Sequence, residues 1–176
     1  PLDSSAASDV YKRQVIHYNK SKTKAEKLKK ELSTNGTKVY LIKGDLSVES
    51  DVNKVVKFAK SKLKYFDCLI NNASLFENDK LENFNTDSWG QHLRTNLRTP
   101  ALLSKEFAKN IKDKNNNIIN IIDQRVFKLT PYFFSYTISK TGLYTLTKTS
   151  AMSLAPKIRV NGCLLYTSPS PRDVWV

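Results

Sequence analysis

The sequence predicts an α/β fold in which helices cover both faces of a doubly wound parallel sheet, giving three α/β/α layers. Three observations predict it. Short apolar runs alternate with segments of helical period, the runs are nearly continuous rather than alternating with polar residues, and polar residues gather just past each run. Strands that alternate with helices pair in parallel through crossover helices. Continuous apolar strands belong to sheets covered on both faces. In such sheets ligands bind beyond the carboxyl ends of the strands.

The elements follow in order. VIHY at 15–18 is a strand, and the Lys-rich stretch 22–33 is a helix. Asn35-Gly36 closes that helix, a pair that tolerates positive φ. KVYLIKGD at 38–45 is the second strand. Residues 47–62 form a helix with Val52, Val55, Val56 and Ala59 at three-four spacing, and Ser47 is placed to cap it. FDCLINNAS at 66–74 is the third strand, running into a polar turn, with Cys68 inside the run as a small core residue. A loop reaches to about Asn85. Thr86 then caps a long helix whose apolar face is Trp89, Leu93, Leu97, Leu102, Leu103 and Phe107. NNIINIID at 116–123 is the fourth strand, 133–154 is a helix stopped by Pro156, and KIRVN at 157–161 starts a fifth strand. The polar positions just past the runs are Asn19 to Ser21, Asp45, Asn71 to Ser74 and Asp123.

A length of 176 residues fits one domain, and 40% hydrophobic content is enough for an ordinary core. No apolar run approaches the ~20 residues that span a bilayer, and no secretory signal pattern is visible. Cys68 and Cys163 lack metal-ligand spacing, and His17 and His92 have no spaced partners, so no metal site is expected. His17 is expected to pack or to bond backbone, and His92 to lie on the surface. A reducing, cytoplasmic setting fits this cysteine usage. The formal charge of +13 raises nucleic-acid binding as a reading. The lysines, however, spread over solvated helix faces, as in KSKTKAEKLKKEL at 20–32, with no aromatic-and-basic motif beside them. Neither nucleic acid nor membrane is expected as a partner.

Residues 1–14 show no sustained period, and from Cys163 the chain turns to Ser and Pro in CLLYTSPSPRDVWV. These flanks resemble translated adapter read-through, the alternative being a natural disordered tail. The expected domain is therefore 15–162, with 1–14 and 163–176 set aside.

Tyr136 and Lys140 lie four apart and share a helix face. A phenol titrates near 10, and a nearby ammonium lowers that value, so the pair is a candidate proton donor. Tyr132 has no lysine at that offset. Tyr-x-x-x-Lys alone is a weak signal. In order along the chain stand Asp45 after the second strand, Asn71-Asn72-Ala73-Ser74, Asn96 in RTNLRTP, Tyr136-x-x-x-Lys140 and Arg159-Val160-Asn161. In this order and spacing the chain resembles the short-chain dehydrogenase/reductase family, over nearly all of 15–162. The resemblance implies a Rossmann-like fold and an oxidoreductase. It implies Tyr136 as proton donor, Lys140 lowering its pKa and holding the nicotinamide ribose, and Asn96 holding a water that links Lys140 to solvent. It places Asn72 and Ala73 beside the cofactor adenosine and Asp45 at the adenine edge, with Leu46 and Ser74 also in the cofactor site. It also implies a homodimer or homotetramer paired through helices at 86–111 and 133–154.

The family usually has a serine where Asp123 stands. An aspartate there, with Leu75-Phe76 after NNAS and the turn HYNKS at 17–21, resembles the pteridine reductase branch, including dihydrofolate and dihydromonapterin reductases. In that branch the phenylalanine, here Phe76, stacks on the pterin ring. Independently, an acidic residue after this strand would bind a ribose diol and select NAD. Lys20 and Ser21 offer a cation and a hydroxyl instead, which suits the 2′-phosphate of NADPH; the alternative is that Lys20 is one more lysine of a Lys-rich helix. Reducing a pterin C=N bond needs a proton on a ring nitrogen. An Asp123 carboxyl, its pKa tuned by burial, could hydrogen-bond Tyr136 and relay that proton. The alternative is that Asp123 merely caps the loop at 124–130; Arg125 could reach substrate or equally serve only the loop. The competing readings are a carbonyl reductase for 3-oxoacyl thioesters or sugar ketones, and a non-catalytic NADPH-binding or interaction protein.

No Gly-x-Gly-x-x-Gly turn is present; the five glycines are Gly36, Gly44, Gly90, Gly142 and Gly162. The family opens with a strand, a Gly-rich turn and a helix, and it continues past RVN into a substrate loop. The chain is thus expected to be an internal fragment. The absent strand would lie between those at 15–18 and 66–70, leaving unpaired edges mid-sheet. Expressed alone, the 176-residue chain is expected to be poorly stable and inactive. A cooperative thermal melt together with NADPH-dependent turnover would refute this.

Overall fold

Parallel pairing organises every strand of the computed structural model, which describes residues 13–34, 36–112 and 116–165. The chain divides into two units between Tyr65 and Phe66.

The first unit comprises β1 (Arg13–Tyr18), α1 (Lys22–Ser33), β2 (Lys38–Lys43) and α2 (Glu49–Lys62). β1 lies parallel to β2, with Val15 opposite Tyr40 and Tyr18 opposite Lys43. Ala25 from α1, Val39 from β2, Val52 and Val55 from α2, and Leu46 are its buried apolar residues. Gly36 has φ 78°, the left-handed conformation expected just past α1; Asn35 lies outside the described residues. Ser47 does not cap α2. The helix begins at Glu49 behind Val48, which makes no side-chain cap. Ser47 instead donates its N–H (2.9 Å) and hydroxyl (2.8 Å) to Asp45 Oδ1. A short aspartate side chain can bond the backbone two residues on, and this local turn claims Ser47 first.

The second unit comprises β3 (Cys68–Asn71), α3 (Thr86–Leu93), a π-helical turn (Arg94–Arg98), α4 (Thr99–Ala108), β4 (Asn116–Asp123), a 3-10 turn (Gln124–Val126), α5 (Phe134–Leu154) and β5 (Ile158–Leu165). Its sheet order is β3-β4-β5, all parallel. Phe107, Ile118, Ile158 and Val160 form its core, flanked by Phe66, Leu69 and Leu154. A polar ladder crosses the same layer. Asn71 Nδ2 donates to Asn120 Oδ1 (2.8 Å), Asn120 Nδ2 to Thr147 Oγ1 (2.9 Å), and Thr147 Oγ1 to the Leu143 carbonyl (2.7 Å). Buried groups of this kind hold β3, β4 and α5 in one register, because each lost partner leaves an unsatisfied atom.

Several expectations change here. Asn85, not Thr86, caps α3: its Oδ1 accepts from Asp87 N and Ser88 N. The expected long helix runs from 86 to 108 but is interrupted by the π-turn. Cys68 is exposed rather than in the core, because β3 pairs only with β4 among the described residues; Ile70 on the same strand is 55% exposed. β1 likewise pairs only with β2 among the described residues. β1 starts at Arg13 and β5 runs to Leu165, opposite Asp123, so the sheets take up residues that the sequence reading set aside as flanks. Residues 1–12 and 166–176 lie outside the described residues.

Ile118 is fully buried at the centre of this core. Ile118→Ala should cost about 2–5 kcal/mol, read from the shift of the denaturant midpoint at unchanged slope.

Candidate active site

Helix α5 places Tyr136 and Lys140 on one face toward the end of β4. Both are buried, Lys140 to 3% exposure. The Tyr136 hydroxyl donates to Asp123 Oδ2 at 3.0 Å. Asp123 Oδ1 accepts from Arg125 N at 2.8 Å and so starts the 3-10 turn. One carboxylate thus does both things the sequence allowed: it caps the loop with one oxygen and meets the phenol with the other. Lys140 Nζ donates to the Ile121 carbonyl at 2.9 Å and lies 5.7 Å from the Tyr136 ring centroid.

The electrostatics of Tyr136 run opposite to the expectation of an ammonium-lowered phenol. Burial pushes its pKa well above the usual 10, and the Asp123 carboxylate adds to the rise through its charge and its hydrogen bond; the Ser74 hydroxyl and Arg125 pull the other way. The phenol is held protonated, the state a proton donor needs. Lys140 shifts in the other direction. Burial lowers its pKa to about 8, opposed by the Asp123 charge.

Asn96 sits within the π-turn and is fully buried. Its Oδ1 accepts from Leu75 N (2.8 Å), and its Nδ2 donates to the Leu75 carbonyl (2.9 Å) and to Ser139 Oγ (2.9 Å). The side chain is therefore committed to protein partners. Gly142 permits close approach here: an added Cβ would stand 2.7 Å from Leu97 Cδ2.

The segment after β3 is fastened to both helices. His92, expected on the surface, is fully buried. Its Nδ1 donates to the Ser88 carbonyl (2.8 Å), and its Nε2 accepts from Glu77 N (3.3 Å), so the ring is the neutral Nδ1–H tautomer. Asp79 holds the start of α5: its carboxylate accepts from Ser135 N (3.0 Å) and from the Ser135 hydroxyl, and its carbonyl accepts from Phe134 N (3.3 Å). Asn78 Oδ1 accepts from Phe133 N at 3.4 Å. Phe76 is thereby set edge-on to Tyr136, with centroids 4.6 Å apart and planes at 77°. Phe133, in the left-handed region at φ 57°, stacks on Phe76 at 4.4 Å and 4°. Phe76 remains 50% exposed.

In the first unit, Lys20 and Asn19 from the end of β1 lie beside Asp45 from the end of β2. Hydrogen bonds from Ser47 hold the Asp45 carboxyl below its usual range, aided by Asn19 and the Lys20 charge. A groove of about 410 Å³ is lined by Tyr18, Asn19, Lys20, Lys22 and Lys43. The Ser21 side chain makes no cap at the start of α1, so its hydroxyl is not spent there. His17 Nε2 bonds the Gly44 carbonyl at 2.8 Å, the backbone role expected of it. Leu46 is buried in the core of this unit.

The structure thus brings Asp123, Tyr136, Lys140, Ser74 and Phe76 together, with Asn96 behind them through Leu75 and Ser139. Asn72 is exposed and Ala73 half-buried just past β3. Sequence reasoning missed Asp79, His92, Phe133 and Ser139. Only the serine carried a local signal, one position before Lys140 on the same helix turn.

The short chain dehydrogenase family profile matches residues 6–170. The FolM alternative dihydrofolate reductase 1 of Brucella canis, solved with NADP, superposes with a TM-score of 0.82 at 35% identity, over 98% of this chain and 72% of that one. A 3-oxoacyl-[acyl-carrier-protein] reductase of Synechocystis is 27% identical over 81% of this chain and 58% of its own length. The corresponding FabG reductase of Buchnera aphidicola is 31% identical over 84% and 60%. The chain therefore spans about six tenths of the curated relatives it matches.

A buried lysine whose pKa falls from 10.5 to about 8 makes the folded state bind fewer protons than the unfolded one in that interval. Its penalty is largest below about pH 8 and fades as pH rises toward 10.5. Chemical denaturation of the wild type should therefore gain stability with pH relative to Lys140→Met across this window. Parallel pH profiles would show that the lysine is not held as described.

Proposed function

The chain belongs to the short-chain dehydrogenase family, and on that premise we propose that it forms the catalytic part of an NADPH-dependent oxidoreductase reducing a C=N bond of a pterin-type ring. The observation that carries the reading is the 3.0 Å hydrogen bond from the Tyr136 hydroxyl to Asp123, a carboxylate where a carbonyl reductase of this family usually has a serine.

The residues present fit the cofactor. The lysine-lined groove with Lys20, beside a Ser21 hydroxyl that makes no cap at α1, suits a 2′-phosphate. Asp45 would meet the adenine edge, with Leu46 beside it in the cofactor site. Asn72, Ala73 and Ser74 would lie along the adenosine. Lys140 has donors left beyond its bond to Ile121 and would hold the nicotinamide ribose. The binding of NADP by the FolM structure supports the same choice. When bound, the reduced nicotinamide supplies a hydride to the substrate carbon.

The protein's own task is the proton. Burial and Asp123 hold the Tyr136 phenol protonated, so it meets the substrate nitrogen as an acid. Losing that proton beside a carboxylate would place two negative charges together. Transfer to the substrate nitrogen is therefore followed by return of a proton to the phenol oxygen along the hydrogen bond to Asp123. Asp123 is then the relay from solvent and Tyr136 the final donor. Phe76, half-exposed and edge-on to Tyr136, offers an aromatic surface for a flat ring.

A second reading, reduction of a 3-oxoacyl thioester, draws support from the named activity of the curated relatives. The family resemblance adds pairing of subunits through the helices at 86–111 and 133–154; Ile138 and Met152 are exposed on α5.

The two substrate readings separate with Asp123→Ser in the full-length protein, assayed on dihydropterins and on ketones. Dihydropterin reduction should fall by about 100-fold, the scale of a lost acid–base group, with carbonyl reduction far less affected. Equal losses on both substrates would count against the pterin reading.

A further inference from the structure

Arg125 is held in an unusual setting for a surface arginine. Its backbone N–H is fixed by Asp123 Oδ1, so its position follows that of the carboxylate bonded to Tyr136. Its guanidinium carbon lies 4.4 Å from the Phe133 ring centroid and 5.9 Å from that of Phe76. Nε is buried without a hydrogen-bond partner among the described residues, and Nη1 makes only a long 3.5 Å bond to Thr130 Oγ1. No carboxylate among the described residues forms an ion pair with the guanidinium. A buried guanidinium N–H without an acceptor carries a free-energy cost, and the flat faces of Phe133 and Phe76 give a guanidinium shelter rather than a counter-ion. The group is also close enough to Tyr136 to act on its ionisation.

We propose that Arg125, with Phe133 and Phe76, forms an outer subsite that binds a carboxylate carried by the ring substrate. The inference rests on the pterin-type reading for the ring and adds the chemistry of its tail. A planar, always charged fork pairs with a carboxylate through parallel hydrogen bonds. One arginine with the Asp123 carboxylate two residues away suits a singly charged group better than a dianionic phosphate. The phenyl rings beside it suit a tail that leaves the reacting ring through an aromatic or apolar link.

The test is calorimetric titration of the full-length protein with folate, whose pterin ring carries a glutamate tail, and with biopterin, whose tail is neutral. The wild type should bind folate about tenfold or more tightly than biopterin, the scale of one charge-assisted pair. In Arg125→Gln that ratio should fall toward one, and Arg125→Lys, which keeps the charge without the fork, should fall between. A ratio unchanged in a folded Arg125→Gln, judged by circular dichroism, or equal binding of both ligands by the wild type, would overturn the subsite while leaving the ring reading intact. Failure of both ligands to bind would overturn the ring reading and the subsite with it.

Discussion

An ammonium group almost wholly out of water must be answered by the protein, and Lys140 is answered by the carbonyl of Ile121. Much of the second unit is arranged around that bond. It ties the first turns of α5 to the carboxyl end of β4, and the geometry of the two elements does the rest. Tyr136 stands one helical turn before the lysine and Asp123 two residues past the carbonyl, so the same docking brings phenol and carboxylate to 3.0 Å. Burial then pulls the two titrating groups apart, with Lys140 down to about 8 and Tyr136 above its usual 10. A protonated acid and a readily neutralised base are thus produced side by side by one desolvated interface.

That docking is reinforced by a loop with almost no secondary structure of its own. Residues 74–79 are held by Asn96 through the Leu75 backbone, by His92 through Glu77, and by Asp79 through the first amides of α5. These bonds satisfy helix-end and loop amides that would otherwise be stranded out of water. They also place Phe76 against Tyr136. The aromatic surface and the proton donor are thereby held together, because Asp79 at the end of the loop accepts from the first amides of α5. The polar ladder Asn71–Asn120–Thr147 does the same beneath them, joining β3, β4 and α5 through buried side chains.

The strands and helices were legible because apolar period and caps are local. Strand β4 spans the residues read from NNIINIID, and α5 begins one residue later than expected and ends where expected. Boundaries slipped where a side chain had a choice of partners: Ser47 bonds Asp45 rather than α2, and Asn85 outcompetes Thr86 for α3. Cys68 was read as core because its run is apolar, yet a strand with a single neighbour leaves it exposed. His92 was read as surface because a histidine on a polar helix usually is. Its burial depends on Glu77, which reaches it across the loop, and no local pattern signals that meeting.

The sequence by itself determined which groups could do chemistry: the Tyr136–Lys140 pair at helical spacing, the carboxylate at the end of β4, and the cation and hydroxyl after β1. Residue type and short-range spacing are enough for that, since pKa class and helix geometry travel with the chain. Only the tertiary structure decided how those groups behave. The sign of the Tyr136 shift, the double use of Asp123, the commitment of Asn96 to Leu75 and the half-buried charge of Arg125 beside Phe133 all depend on desolvation and on partners distant in sequence. Those are properties of a packed interface, where burial sets which charge is tolerated and proximity sets which hydrogen bond wins.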